Sequence, residues 1–184
     1  VMANGDLNIV RTPFQASRSI VDSPEIAYAD MIKWGKTPSP EWARYYAENS
    51  QTEIYPWLTS LGVEFTDVLK APDNSVPRIH LTKGRGIGLV RPVYVECLKL
   101  PNIVFQWNAR VTRLTHANGR INGVQWQDVR TGKPASLAVK AVVLATGGFQ
   151  SNLDMVREYW ASGVPFPENF LSGSGINSTG TGHK

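Results

Sequence analysis

Three groups of residues in this chain have the chemistry to hold or act on a ligand. The first is the run Val142-Val143-Leu144-Ala145-Thr146-Gly147-Gly148-Phe149. Its apolar, partly β-branched start reads as a buried strand, and its paired glycines let another group come close to the backbone. A tight turn after a core strand would use the same residues. The second is Gly84-Arg85-Gly86-Ile87-Gly88, whose bare amides could face an anion at the start of a helix or simply lead the chain flexibly into it. The third is a set of side chains, Arg78, His80, Arg85 and Arg91. Guanidinium forks suit a carboxylate, although a solvated surface arginine is the plainer reading of each.

Other chemistry is poorly represented. His116 beside Asn118-Gly119 reads as a turn histidine, and Cys97 on a helical stripe as a small core hydrophobe. A single cysteine excludes a disulfide within the chain and a cysteine-based zinc site. No two histidines are spaced as metal ligands, and no Ser-His-Asp or Cys-His arrangement stands out, so no catalytic residue is named.

These groups need elements to carry them. Asp22-Ser23-Pro24-Glu25 is a helix start, with a capping side chain, Pro in the first turn and an acid suited to the helix dipole. Ala27, Met31 and Trp34 share one face of that helix, and Gly35 ends it. Ser39-Pro40-Glu41 repeats the start signal, followed by a stripe of Ala43, Tyr46, Ala47, Ser50, Ile54, Trp57, Leu58 and Leu61 at helical spacing. Pro56 must kink or split that helix, since its nitrogen cannot donate to the preceding turn.

Residues 1–22 read as irregular, Val63 to Phe65 as a short strand, and residues 66–85 as a polar connection. A third helix is expected from near Gly86 to about Leu100, burying Val90, Tyr94, Cys97 and Leu98. The period then changes to strands over Ile103 to Gln106, Val111 to Thr115, Ile121 to Gln127 and Leu137 to Ala145, separated by Asn118-Gly119 and Thr131-Gly132 turns. A last helix is expected from Leu153 to about Trp160.

Composition bounds what such a chain can be. At 184 residues, 42% hydrophobic and 18% charged, it is an ordinary globular sequence with length for one domain or parts of two. The net charge of +4 is mild and its Lys and Arg are dispersed, which argues against a nucleic-acid partner while remaining compatible with an anionic substrate or a pyrophosphate. No apolar stretch approaches the roughly 20 residues that cross a bilayer. The chain opens without Met and closes in a glycine-rich loop, and so reads as a piece of a longer protein.

In their order, the Val142–Phe149 run, Gly119-Arg120-Ile121-Asn122-Gly123-Val124 upstream, and Asn152 and Asn177-Ser178-Thr179-Gly180-Thr181-Gly182-His183 downstream carry a resemblance. The chain resembles FAD-dependent flavoproteins of the fumarate reductase and succinate dehydrogenase type, a group that includes flavocytochrome-type fumarate reductases, ketosteroid dehydrogenases and tricarballylate dehydrogenases. Asp22-Ser23-Pro24-Glu25 and Trp57-Leu58-Thr59-Ser60-Leu61-Gly62-Val63 match the family's opening and closing of a helical insert. The Gly-x-Gly-x-x-Gly dinucleotide turn is missing. In Gly84 to Gly88 the third glycine falls one position early and no apolar strand precedes it; the family carries that motif upstream of the stretch seen here.

The resemblance implies a mixed α+β and α/β fold. Residues 1–85 would be a mostly helical insert on the substrate side. Residues 86–184 would be part of a Rossmann-like FAD-binding domain with a small antiparallel β-meander. It implies FAD as the cofactor of the full-length protein, with Ala145, Thr146, Gly147 and Gly148 along its ribose and pyrophosphate and the Val111 backbone at its adenine. Val111 reads equally as a core valine, and Asn152 as either a family-matched site residue or a helix N-cap.

Gly180-Thr181-Gly182 matches a loop that usually reads Gly-Asp-Gly, so a role needing a carboxylate is in doubt at Thr181. Arg78, His80, Gly84, Arg85 and Gly86 fall where the insert approaches the substrate, a small carboxylate or ketone, and His183 falls near the flavin. The isolated chain is expected to be inactive, with the Val142–Ala145 strand exposing an edge that promotes self-association. The rival reading is a self-contained binding or assembly module that meets a partner through Tyr45, Tyr46 and Trp57, residues that helical spacing assigns to the core instead.

Overall fold

The computed structural model describes residues 4–35, 38–171 and 175–183. The chain divides into two compact units, Val1–Ile103 and Val104–Lys184. Among the described residues both sheets are three-stranded and antiparallel, which with the helices makes the fold α+β.

The first unit is helical around a small sheet. Helix α2 (Pro24–Trp34) starts where the capping signal places it, with the Ser23 side chain accepting from Ile26 N and Pro24 in the first turn. Ser39 caps α3 (Pro40–Glu53) in the same way. Pro56 splits the long stripe as expected: α3 ends at Glu53, and α4 (Tyr55–Ser60) begins beyond Ile54. Ala47, Ser50 and Leu58 of the stripe are buried, but Trp57 is 50% exposed, as is Tyr45 at 48%. Core assignment by spacing therefore fails for these two rings.

The segment that reads as irregular holds strand β1 (Leu7–Asn8) and the short helix α1 (Pro13–Ala16). Its start is a reciprocal capping box: Gln15 N donates to Thr12 Oγ1 at 3.1 Å, and Thr12 N donates to Gln15 Oε1 at 2.8 Å. The expected polar connection over 66–85 is likewise corrected. Strand β2 occupies Phe65–Leu69, beyond the Val63–Phe65 expectation, and β3 occupies Ile79–Thr82. β3 is the central strand, flanked by β1 and β2. Ile79-His80-Leu81-Thr82 does alternate, but over only four residues and with the polar His80 and Thr82 on the buried side, so the pattern does not mark the strand by apolar burial.

One buried cation ties this unit together. Arg78 is 1% exposed, so the surface reading fails for it. Its Nε and Nη2 fork onto Asp22 at 2.9 and 2.8 Å, while Nη1 reaches Asp30 at 3.0 Å and Asn74 Oδ1 at 3.2 Å. The carboxylates are occupied from other sides as well. Asp22 accepts from Gln15 Nε2 at 3.1 Å, and Asp30 accepts from the Ser75 hydroxyl at 2.5 Å and the Ser75 amide at 2.9 Å. Charges this deeply placed are tolerated because each is paired and hydrogen-bonded.

Helix α5 (Arg85–Leu98) follows at the expected place, but its apolar face is not buried: Val90 is 47%, Tyr94 36% and Leu98 58% exposed. The second unit holds the meander β4 (Ala109–Ala117), β5 (Arg120–Asp128) and β6 (Pro134–Ala138), then α6 (Leu153–Glu158). Ile103 to Gln106 form no strand, and the strand expected to run to Ala145 ends at Ala138. Val143 and Leu144 are 89% and 60% exposed; among the described residues no neighbouring strand completes a ladder for them.

Truncating Arg78 leaves two buried carboxylates facing each other. Arg78→Met is expected to cost about 3–5 kcal/mol, read from the urea midpoint followed by circular dichroism. Arg78→Lys, which keeps the charge and loses the fork, should fall between the two.

Candidate functional site

The residues singled out by their chemistry fall into two places, one in each unit. In the first unit, His80 stands on β3 between Leu7 and Val68 and is wholly buried. Its Nδ1 lies 2.8 Å from the Arg78 carbonyl, which can only accept, so Nδ1 carries the proton. Nε2 then accepts from the Thr12 hydroxyl at 2.7 Å. The rings of Phe65, Phe14 and Tyr55 surround it at 5.5, 6.1 and 6.4 Å. Arg78 and His80 thus sit inside the unit with their polar atoms engaged by protein.

Gly84 and Arg85 both lie in the left-handed region, at φ 78° and 56°, a conformation natural for Gly84 and unusual for Arg85. Thr82 Oγ1 donates to the Arg85 carbonyl at 2.7 Å, and Arg85 Nη1 donates to Asn4 Oδ1 at 2.5 Å. Gly5 backs this turn so closely that a Cβ there would stand 2.7 Å from both Arg85 C and Gly86 N. Gly86 is consequently buried. Beside it lies a shallow cavity of about 320 Å³, with Gly62, Lys83, Gly84, Ile87 and Arg91 in its wall. Among the described residues no group of His, Cys, Asp and Glu could hold a metal ion.

Burial fixes how the first-unit groups titrate. It pushes His80 below its ordinary value of 6.5, against weaker upward pulls from the Arg78 and Leu7 backbones. Burial alone would raise Asp22 and Asp30, but hydrogen bonds from Arg78 and Gln15 to the one, and from Ser75 and Arg78 to the other, hold both below 3.8.

In the second unit the structure brings together two glycine turns far apart in sequence. Ser151 N and Gly180 N donate across to Ser178 O at 2.9 Å and Gly148 O at 3.2 Å. Asn152 Nδ2 donates to Thr179 O at 3.1 Å, and its Oδ1 accepts from Met155 N at 3.2 Å, so this side chain both caps α6 and joins the turns. His183 Nε2 donates to Gly147 O at 3.1 Å, and its ring meets Phe149 edge-on at 5.6 Å. Gly182 packs directly on Thr146, where any Cβ would collide with the threonine side chain, and a Cβ at Gly180 would stand 2.5 Å from Met155 Sδ.

Thr146, Gly147, Gly148, Asn152, Gly180 and Gly182 therefore belong to one local construction, with Ala145 and Thr181 adjoining it in sequence. Val111 lies on β4 opposite Trp126 and is 57% exposed. Gly147 has φ 73°, and a Cβ there would meet nothing within 4 Å. The backbone at Gly147 is open on its Cβ side, and in that respect the residues present fit a group that lies along main chain, such as the ribose and pyrophosphate of a dinucleotide. Sequence reasoning missed the joining itself, because the joining bonds use backbone carbonyls that no side chain announces.

Comparison with known proteins fits this geometry. The FAD binding domain family matches residues 1–184, and the chain belongs to that family. A cytochrome-linked fumarate reductase of Shewanella frigidimarina is 30% identical over 98% of this chain and 31% of its own length. A KsdD-like steroid dehydrogenase of Mycobacterium tuberculosis is 28% identical over 92% of this chain and 35% of its own. The open conformation of a flavocytochrome c3 fumarate reductase superposes with a TM-score of 0.81 at 26% identity, over 97% of this chain and 31% of that one. The chain thus spans about a third of the length of these relatives. The family match runs along the whole chain.

Two outcomes follow from the geometry. A depressed His80 contributes stability that is complete above pH 6.5 and lost as pH falls below it. The depressed carboxylates contribute theirs above pH 3.8 and lose it at still lower pH. Urea midpoints of the chain should therefore decline in two stages on acidification; a midpoint flat down to pH 3.8 would contradict the His80 assignment. Separately, Gly182→Ala should force Thr146 aside and cost about 1–3 kcal/mol, seen as faster hydrogen exchange at the Gly180 amide.

Proposed function

We propose that this chain supplies part of the FAD-binding domain and the neighbouring insert of an FAD-dependent oxidoreductase acting on a carbon–carbon bond of a small carboxylate or ketone. The carrying observation is the joined pair of turns at 146–152 and 178–183, whose open Gly147 face occurs in a chain matched along its length by the FAD binding domain family. When bound, FAD supplies hydride transfer at a bond activated by an adjoining carbonyl or carboxylate.

The part of this chain is to bind and orient. Thr146, Gly147 and Gly148 present backbone along the ribose and pyrophosphate, Asn152 fixes the turn to the α6 cap, and Gly180-Thr181-Gly182 braces it from behind. With Thr181 in place of an acid, that loop offers a hydroxyl to a ribose or backbone group rather than a charge. The Val111 backbone meets the adenine. Residues 1–85 form the substrate-side insert, where Arg78 and His80 act as positioning residues from inside the unit. Gly84, Arg85 and Gly86 shape the start of α5 toward the substrate.

A flavin titration tests the reading, following fluorescence quenching and the visible spectrum of FAD with the full-length gene product beside this chain. Stoichiometric binding by the long form and none by this chain is the expected result. Binding by neither would overturn the flavoprotein reading.

A further inference from the structure

Three Asn-Gly pairs occur in the chain, at Asn4-Gly5, Asn118-Gly119 and Asn122-Gly123. An asparagine followed by glycine can rearrange without any enzyme, because glycine lacks the Cβ that would shield its amide nitrogen. The structure treats the three pairs very differently. We propose that Asn118 is a site of spontaneous covalent modification in this protein, converting to aspartate and isoaspartate while the other two pairs are protected by the fold.

Asn118 and Gly119 are the two central residues of the hairpin turn between β4 and β5, with Ala117 paired to Arg120 across it. Both have positive φ, 52° and 72°, as a two-residue turn of this hand requires. Both are exposed, and a Cβ at Gly119 would meet nothing within 4 Å. Among the described residues the Asn118 side chain makes no hydrogen bond. Nothing therefore holds its amide away from the following nitrogen once the tip flexes, and opening a hairpin tip breaks no packing.

The other pairs are held at both reacting ends. Asn4 donates to Asp6 at 2.9 Å and accepts from Arg85 Nη1 at 2.5 Å, and Gly5 is backed by the Arg85 and Gly86 main chain. Asn122 accepts from the Thr115 hydroxyl at 2.8 Å, and its carbonyl accepts from Val139 N at 3.0 Å. Gly123 is clamped within the sheet between Thr115 and Ala138, where a Cβ would stand 2.5 Å from Thr115 Oγ1.

The reaction is balanced with water alone. The Gly119 nitrogen bonds to Asn118 Cγ, ammonia leaves, and a five-membered imide closes. Water then opens one of its two carbonyls. One opening gives aspartate; the other gives isoaspartate, with the main chain routed through the side-chain carboxyl carbon. Either product replaces a neutral amide by a negative charge, and the second adds a methylene to a two-residue turn that allows no spare atom in its register.

The test incubates the intact chain at mildly alkaline pH. The three peptides are then followed by mass spectrometry after digestion, with isoaspartyl methyltransferase labelling to mark the rearranged product. Asn118 is expected to convert about tenfold faster than Asn4 or Asn122. A parallel incubation in urea, where fold protection is removed, should bring the three rates together. Conversion of Asn4 or Asn122 as fast as Asn118 in the native chain would overturn the proposal. So would the same ordering persisting in urea, since the selectivity would then belong to local sequence.

Discussion

The constraint on which the first unit depends is the need to satisfy one buried guanidinium. Arg78 cannot shed its charge, so both carboxylates and the Asn74 amide have to be brought to it, from the α2 segment and from the loop before β3. Asp22 comes from the approach to α2, Asp30 from its interior, and Asn74 from the loop leading to β3. The Asp22 end continues through Gln15 to Thr12 and from there to His80. The small sheet, the N-terminal turn and the first long helix are therefore set by one hydrogen-bonded chain. An apolar core this limited, with Ile9, Val10, Ala27 and Ala47 at its centre, would not specify those positions on its own.

The second unit is organised by backbone instead. Its two glycine turns hold each other through main-chain carbonyls and amides, and their close approach depends on missing side chains at Gly180 and Gly182. Geometry fixed by absent atoms leaves the outer face of Gly147 free, which suits a cofactor that binds along a backbone.

Much of the helical framework was legible, because caps and proline act locally: Ser23, Ser39 and Pro56 each did what their chemistry dictates. The same holds for the hairpins at Asn118-Gly119 and Thr131-Gly132. What escaped were elements defined by distant partners. β3 is recognisable only once β1 and β2 pair with it, and the apolar run at Val142 to Ala145 does not become a strand without a neighbour. For the candidate site, the resemblance singles out 145–148 and 180–182, whereas nothing in it marks the burial of Arg78 and His80. Arginine at 78 carries no local mark of being interior, since its partners lie 56 and 48 residues away.

The position of β1 bears on how the chain is made. Leu7 and Asn8 emerge from a ribosome well before Ile79 and His80, the residues they pair with. At about 5–20 residues per second, that interval lasts roughly 4–14 seconds, during which Leu7 and Asn8 lack the strand they pair with here. The N-terminal turn can complete its fold only after its partner is synthesised, so during translation this segment is open to chaperones and proteases.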